Sequence, residues 1–142
     1  MKLQITLAIA FLALTAIIIS SCQSEDELNL KRYYVAGQLI YQKRCQNCHG
    51  TKGDGLGALI PPFSDSVYLN KNRHKLACFV KNGLADHITV NGKPFMQQMP
   101  AQRDLSNIQV AQVLTYINNS FNNKMGLVDV DQVNEDLGKC TF

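Results

Sequence analysis

Apolar and polar positions divide the 142-residue chain into stretches of different character. Leu3 to Ile19 is an almost unbroken apolar run, preceded by Lys2 and closed by "IISSC". It is short for a membrane span of roughly 20 residues, and its charge-apolar-small order is that of a secretory signal peptide over 1–21. The polar, acidic segment "QSEDELNL" follows and reads as a tether over 22–30. From Leu28 to Cys48 the pattern predicts a helix, with Tyr33, Gly37, Tyr41 and Cys45 recurring every four residues on one face. A glycine inside a helix costs up to about 1 kcal/mol against alanine, so Gly37 on that face points to close approach by another helix. Residues 50–66 read as loop, with Gly50, Gly53, Gly55 and Gly57 for tight turning and Pro61 and Pro62 to stiffen it. A second helix is predicted from Asn72 to the Asn82-Gly83 stop.

The third predicted helix, Ser106 to Phe121, has the clearest pattern. "SNIQ" is a capping-box sequence, Leu105 and Val110 suit a hydrophobic staple, and Val110, Val113, Leu114, Ile117 and Phe121 form an apolar stripe. A short helix is expected over Asp129–Leu137, closed by Gly138. No segment alternates with the period of a strand, so the expected fold is all-α, in one domain over 31–142 with an extension from about residue 124.

Charge changes this picture little. The formal charge is +3, and removing Lys2 with the leader lowers it by one, too weak a balance for nucleic-acid binding. There is no internal repeat, low-complexity tract or P-loop. The small residues before Cys22 resemble a bacterial lipobox, which implies a lipidated Cys22, membrane attachment through the lipid and a periplasm-facing or outer-membrane location. Gln23, rather than aspartate, follows that cysteine.

Export places the remaining cysteines in an oxidising compartment. That weighs against a zinc site, for which Cys78, Cys140, His74 and His87 also lack suitable spacing. No strand–helix–strand pattern supports a thioredoxin-like dithiol. Cys45-Gln-Asn-Cys48-His49 has the C-x-x-C-H spacing of c-type haem attachment. Each thiol adds to one vinyl group, and the histidine is then presented to the iron. One covalent haem c is therefore expected. A carbonyl from the Gly/Pro turn is a suitable acceptor for the His49 ring N–H. For the opposite face the candidates are Met96, Met99, Met125, His74 and His87. Met99 is favoured, because Pro100 stiffens its backbone. A methionine there also raises the reduction potential.

"GQLIYQKRCQNCHG", "PPF", "MP" and "LSNIQVAQVLTYINNSF" together resemble a class I cytochrome c of the bacterial, membrane-tethered kind, over roughly Tyr33 to Asn123. The resemblance implies that the first helix crosses the last core helix at Gly37, Tyr41 and Tyr116. It implies that Pro61, or failing it Pro62, offers the carbonyl to His49, and that Met99 is the methionine ligand. Three core helices would surround the haem, with the short C-terminal helix added. Phe121 stands where many relatives carry tryptophan.

An exported chain has little use for two unpaired thiols, so a Cys78–Cys140 bridge is expected in preference to two reduced cysteines. Closing a loop of about 60 residues stabilises by on the order of 4 kcal/mol on the chain-entropy model. The expected function is single-electron transfer in a respiratory or periplasmic chain, by a monomer serving unidentified redox partners. Lys71 to Lys75 ("KNRHK") would offer a basic docking patch. The competing reading is the haem centre of a peroxidase-like enzyme with a labile sixth position, for which His87 is the one candidate acid–base group. A gas-sensing haem lacks an accompanying signalling segment.

Overall fold

In the computed structural model the described residues are 4–7, 11–12, 25–85 and 87–140. Cys22 and most of the apolar leader lie outside them. No helix among the described residues is long and apolar enough to cross a membrane.

The chain is predominantly helical. Helix α1 spans Glu25–Arg44 and α2 Gln46–His49; α3 spans Ser66–Lys71 and α4 Leu76–Asn82. After a β-hairpin, α5 spans Asn107–Asn118 and α6 Val130–Gly138. Helix α1 starts earlier than its pattern suggests, so the segment read as a tether is helical from Glu25. Glu25, Asp26 and Glu27 occupy its first turn and Lys43 and Arg44 its last, each sign favourable to the helix dipole. Lys31 also pairs with Glu27 at 2.7 Å.

Helix α5 has its capping box: the Gln109 N–H donates to Ser106 Oγ, and Gln109 Oε1 accepts from the Ser106 N–H. It stops at Asn118 with Asn119 as its C-cap, short of Phe121; Phe121 and Asn122 then adopt positive φ values of 55° and 71°. Helix α6 is capped by Asp129, which accepts from the Gln132 N–H at 2.7 Å, and includes Gly138 as its last residue. Helix α3 falls in a stretch without a helical sequence pattern and is held by its own cap, Asp65.

The hairpin corrects the expectation that no strand occurs. Strands β1 (Ile88–Val90) and β2 (Lys93–Phe95) pair antiparallel, with Ile88 opposite Phe95 and Val90 opposite Lys93. Asn91 and Gly92 form the turn with φ values of 51° and 72°. Positive φ at both central residues is the requirement of the tight hairpin turn that Asn-Gly favours. Each strand has three residues, too few to display alternation.

The core lies between α1 and α5. A Cβ on Gly37 would stand 1.9 Å from the Gln112 carbonyl oxygen and 2.9 Å from Tyr116 Cβ, so the two backbones touch there. One turn on, the fully buried Tyr41 meets Tyr116 and Phe121 at ring-centroid distances of 5.2 and 5.4 Å. Beyond α5 the chain is pinned back by Thr115, whose hydroxyl donates to the Val128 carbonyl and accepts from its N–H. Helix α6 then buries Val133 and Asp136. Its end is joined to α4 by a Cys78–Cys140 disulfide, with the Cα atoms 5.8 Å apart and the two residues 62 positions apart in sequence.

Gly37→Ala should destabilise the protein by about 1–3 kcal/mol through overpacking, outweighing the gain of up to about 1 kcal/mol in helix propensity. Urea unfolding followed by circular dichroism measures this. Replacing Cys78 and Cys140 together by serine should cost on the order of 4 kcal/mol in the same assay.

Candidate functional site: an apolar cavity between the Cys45–His49 turn and the Met99 loop

The C-x-x-C-H segment is one continuous turn at the end of α1. Cys45 N–H donates to the Tyr41 carbonyl at 2.9 Å, and His49 N–H to the Cys45 carbonyl at 3.0 Å. The turn ends at Gly50, whose φ of 78° and ψ of 161° fall in a region open essentially to glycine. Tyr41 Oη donates to the Gly50 carbonyl at 2.6 Å, tying the turn to the helix crossing. The Gly55 N–H donates to the His49 carbonyl at 3.0 Å. The loop then folds so tightly that a Cβ on Gly55 would meet the Ile60 carbonyl oxygen at 2.1 Å.

His49 is buried, and its ring stacks on Phe63 with centroids 4.2 Å apart. Burial holds the imidazole below its usual pKa, opposed by the nearby Pro61 carbonyl. Nδ1 nevertheless lacks a partner with full hydrogen-bond geometry. The Pro61 carbonyl thus acts on the ring without a completed hydrogen bond. Burial also pushes the Cys45 thiol up to about 11, with Cys48 adding to the shift and Arg44 opposing it.

The opposite wall is built on Met99. Its N–H donates to the Leu84 carbonyl at 2.9 Å, and its carbonyl accepts from the Leu84 N–H at 3.0 Å. That exchange requires Gly83, which has a φ of 81° and ψ of 179° and whose Cβ would stand 2.6 Å from the Met99 carbonyl oxygen. Beyond Pro100 the loop is tied down repeatedly. Gln102 N–H donates to the Val80 carbonyl, and Lys81 Nζ to the carbonyls of Arg103 and Leu105. Asp104 pairs with Arg44 at the end of α1.

Between these walls lies a cavity of about 590 Å³, a size suited to a cofactor. Cys45, Cys48, His49, Pro61, Pro62 and Met99 all line it. Leu69, Phe79 and Val80 add apolar surface, as do Ile88, Val90 and Phe95 of the hairpin. The other ligand candidates lie elsewhere. Met96 is 64% exposed, and Met125 borders a separate groove with Ser66 and Lys124. His87 is exposed, and His74 sits 3.0 Å from the buried carboxylate of Asp136. Phe121 packs under Gly53 and against Tyr41, away from the cavity lining.

The cytochrome c family model matches residues 34–121, more than half of the chain. The chain belongs to the cytochrome c family. No curated protein shows a significant match to it. A c-type cytochrome carries covalently attached haem, and the residues here fit that group. Two unpaired thiols lie one turn apart beside a buried imidazole, and a methionine, Met99, lines the same apolar space. Among the described residues, no cluster of three or more His, Cys, Asp or Glu suits a bare metal ion instead.

Sequence reading placed Gly83 only as a helix stop and passed over the hairpin. The Asn91-Gly92 pair between "ITV" and "KPF" was the available signal for the latter. Nothing in the sequence pairs Gly83 with Met99, because the contact depends on the loop's return path. Gly83→Ala in the cytochrome should destabilise it by about 1–3 kcal/mol, the cost of a side chain in a glycine-only conformation. Thermal unfolding followed at the haem absorption band measures this.

Proposed function

We propose that this cytochrome is a single-electron carrier of the class I type. In this reading Cys45 and Cys48 hold haem c through thioethers, His49 is the proximal ligand and Met99 the ligand opposite. One observation carries it: His49 and Met99 line the same apolar cavity, and no other histidine or methionine among the described residues does. When bound, the haem supplies a one-electron ferric–ferrous couple. The protein's part is to keep both ligands in place and water away. Burial favours the neutral imidazole at His49, the form that donates a lone pair. Phe63 limits rotation of that ring, and the Pro61 carbonyl is the acceptor that would orient it. The paired Leu84 and Met99 backbones hold the methionine in register, so neither ligand must leave when an electron passes.

An enzymatic centre would need a free acid–base group above the sixth position. The cavity's other titratable side chains are Arg44, Asp65 and Tyr68. Both Asp65 oxygens are engaged by backbone N–H groups, burial raises the Tyr68 phenol, and His87 does not line the cavity. These features favour the carrier.

The remainder of the reading concerns place and partners. The leader and "SSC" support export and a lipid anchor at Cys22, facing the periplasm or held at the outer membrane. The donor and acceptor are redox proteins of a respiratory or periplasmic chain. Exposed Lys71, Arg73 and Lys75 supply a basic face for an acidic partner. The carrier acts as a monomer.

The ferric protein should be six-coordinate and low-spin at rest, with the weak red band of methionine sulfur bound to ferric haem. Met99→Ala should abolish that band and lower the potential by on the order of 100 mV, within the roughly 0.8 V range that axial ligation spans. Met96→Ala should change neither. Spectra and a redox titration decide. A wild-type protein that is high-spin at rest and turns over peroxide rapidly would contradict the carrier reading.

A further inference from the structure

The hairpin forms one wall of the cavity and buries Val90 and Phe95, yet few hydrogen bonds fix it there. Ile88, Val90 and Phe95 face the cavity, and at its base Leu84 and Met99 exchange their two backbone hydrogen bonds. Among the described residues, a single hydrogen bond joins residues 87–98 to the chain outside the hairpin. It lies at the tip, where the Asn91 N–H donates to Asp65 Oδ2 at 2.9 Å. The other oxygen of that carboxylate, Oδ1, accepts from the Tyr68 N–H at 2.9 Å and caps α3. Asp65 itself lines the cavity and follows the Pro61–Phe63 segment on the His49 side.

The Asp65–Asn91 bond thus joins the chain just beyond the Pro61–Phe63 segment to the tip of the hairpin wall. The hairpin is hinged at Met99 and fastened at the opposite end. We propose that Asp65 is a positioning residue that latches the hairpin shut and thereby limits access of exogenous ligands to the face of the cavity carrying Met99. The access half of this inference rests on the ligation reading above; the latch itself does not. An ionised carboxylate suits the task, since its two oxygens serve two backbone donors at once and a hydrogen bond to a charged acceptor is stronger than a neutral one. A helix cap alone needs only one of them.

Asp65→Asn separates the two roles. Asparagine caps a helix as well as aspartate does, but with its oxygen kept on the Tyr68 N–H it turns an amino group, which cannot accept, toward the Asn91 N–H. Asp65→Ser likewise retains a cap and is too short to reach the hairpin. The experiment uses the full-length haem-loaded protein and two readouts. In the wild type the Asn91 amide, though in an exposed turn, should be protected from hydrogen exchange measured by NMR. In Asp65→Asn it should exchange about tenfold faster or more, a factor consistent with loss of one charge-assisted bond. Imidazole binding to the ferric protein, followed by stopped flow, should accelerate about tenfold in both variants with the melting temperature little changed. An unprotected Asn91 amide in the wild type, or unchanged exchange in Asp65→Asn, would overturn the latch. Protected exchange with unchanged imidazole rates would overturn its control of access. Should the resting wild type be high-spin, the ligation reading and the access role fail together, and Asn91 exchange still decides the latch.

Discussion

Where α1 crosses α5, Gly37 lies so close to the Gln112 carbonyl that no side chain fits between the helices. This contact sets the position of Tyr41 one turn later, and Tyr41 carries the constraint into the site. Its ring packs on Phe63, Tyr116 and Phe121, and its hydroxyl holds the Gly50 carbonyl at the end of the Cys45–His49 turn. Phe63 in turn stacks on His49, and its own backbone is fixed on both sides. The Phe63 N–H donates to the Gly53 carbonyl, and buried Asn123 donates from Nδ2 to the Phe63 carbonyl. The proximal side is therefore an outgrowth of the helix crossing. Aromatic pairs at these separations contribute roughly 0.5–1.5 kcal/mol each beyond their buried area, which makes the cluster a stiff support.

The distal side is held by different means. Met99 lies in a loop whose backbone is secured to α4 by Val80, to Leu84 just beyond that helix, to the Lys81 ammonium by the carbonyls of Arg103 and Leu105, and to α1 by the Asp104–Arg44 pair. Such redundancy allows Gly83 to hold a conformation that a side chain would strain by about 1–3 kcal/mol. It also suits the ligand role proposed for Met99, which requires one geometry in two oxidation states. The disulfide adds a remote brace: it closes the chain segment containing Met99 and fastens α6 to α4, whose Leu76, Phe79 and Val80 line the cavity.

What the sequence made legible follows from the range of the interactions. The Cys45–His49 turn, the Ser106 capping box and the Asn82-Gly83 stop are local, and residue type with spacing identifies them. Gly37 was readable because a glycine on an apolar helical face has few other uses. The early start of α1 was obscured by acidic residues that suit a tether and a helix N-terminus equally well. Helix α3 and the hairpin are short and depend on tertiary contact, Asp65 serving both. The seating of Met99 against Gly83 and Leu84 joins residues separated by a long loop, and no periodicity records it.

The central claim is that Met99 sits on the iron opposite His49, in a crevice shaped before any electron arrives. A methionine methyl held over a ferrous haem is moved far upfield by the ring current, so proton NMR of the reduced protein tests this directly. The account predicts one such methyl, assigned to Met99 through its contacts with Leu84 and Pro100. An absent upfield methyl, or one belonging to Met96 or Met125, would contradict it.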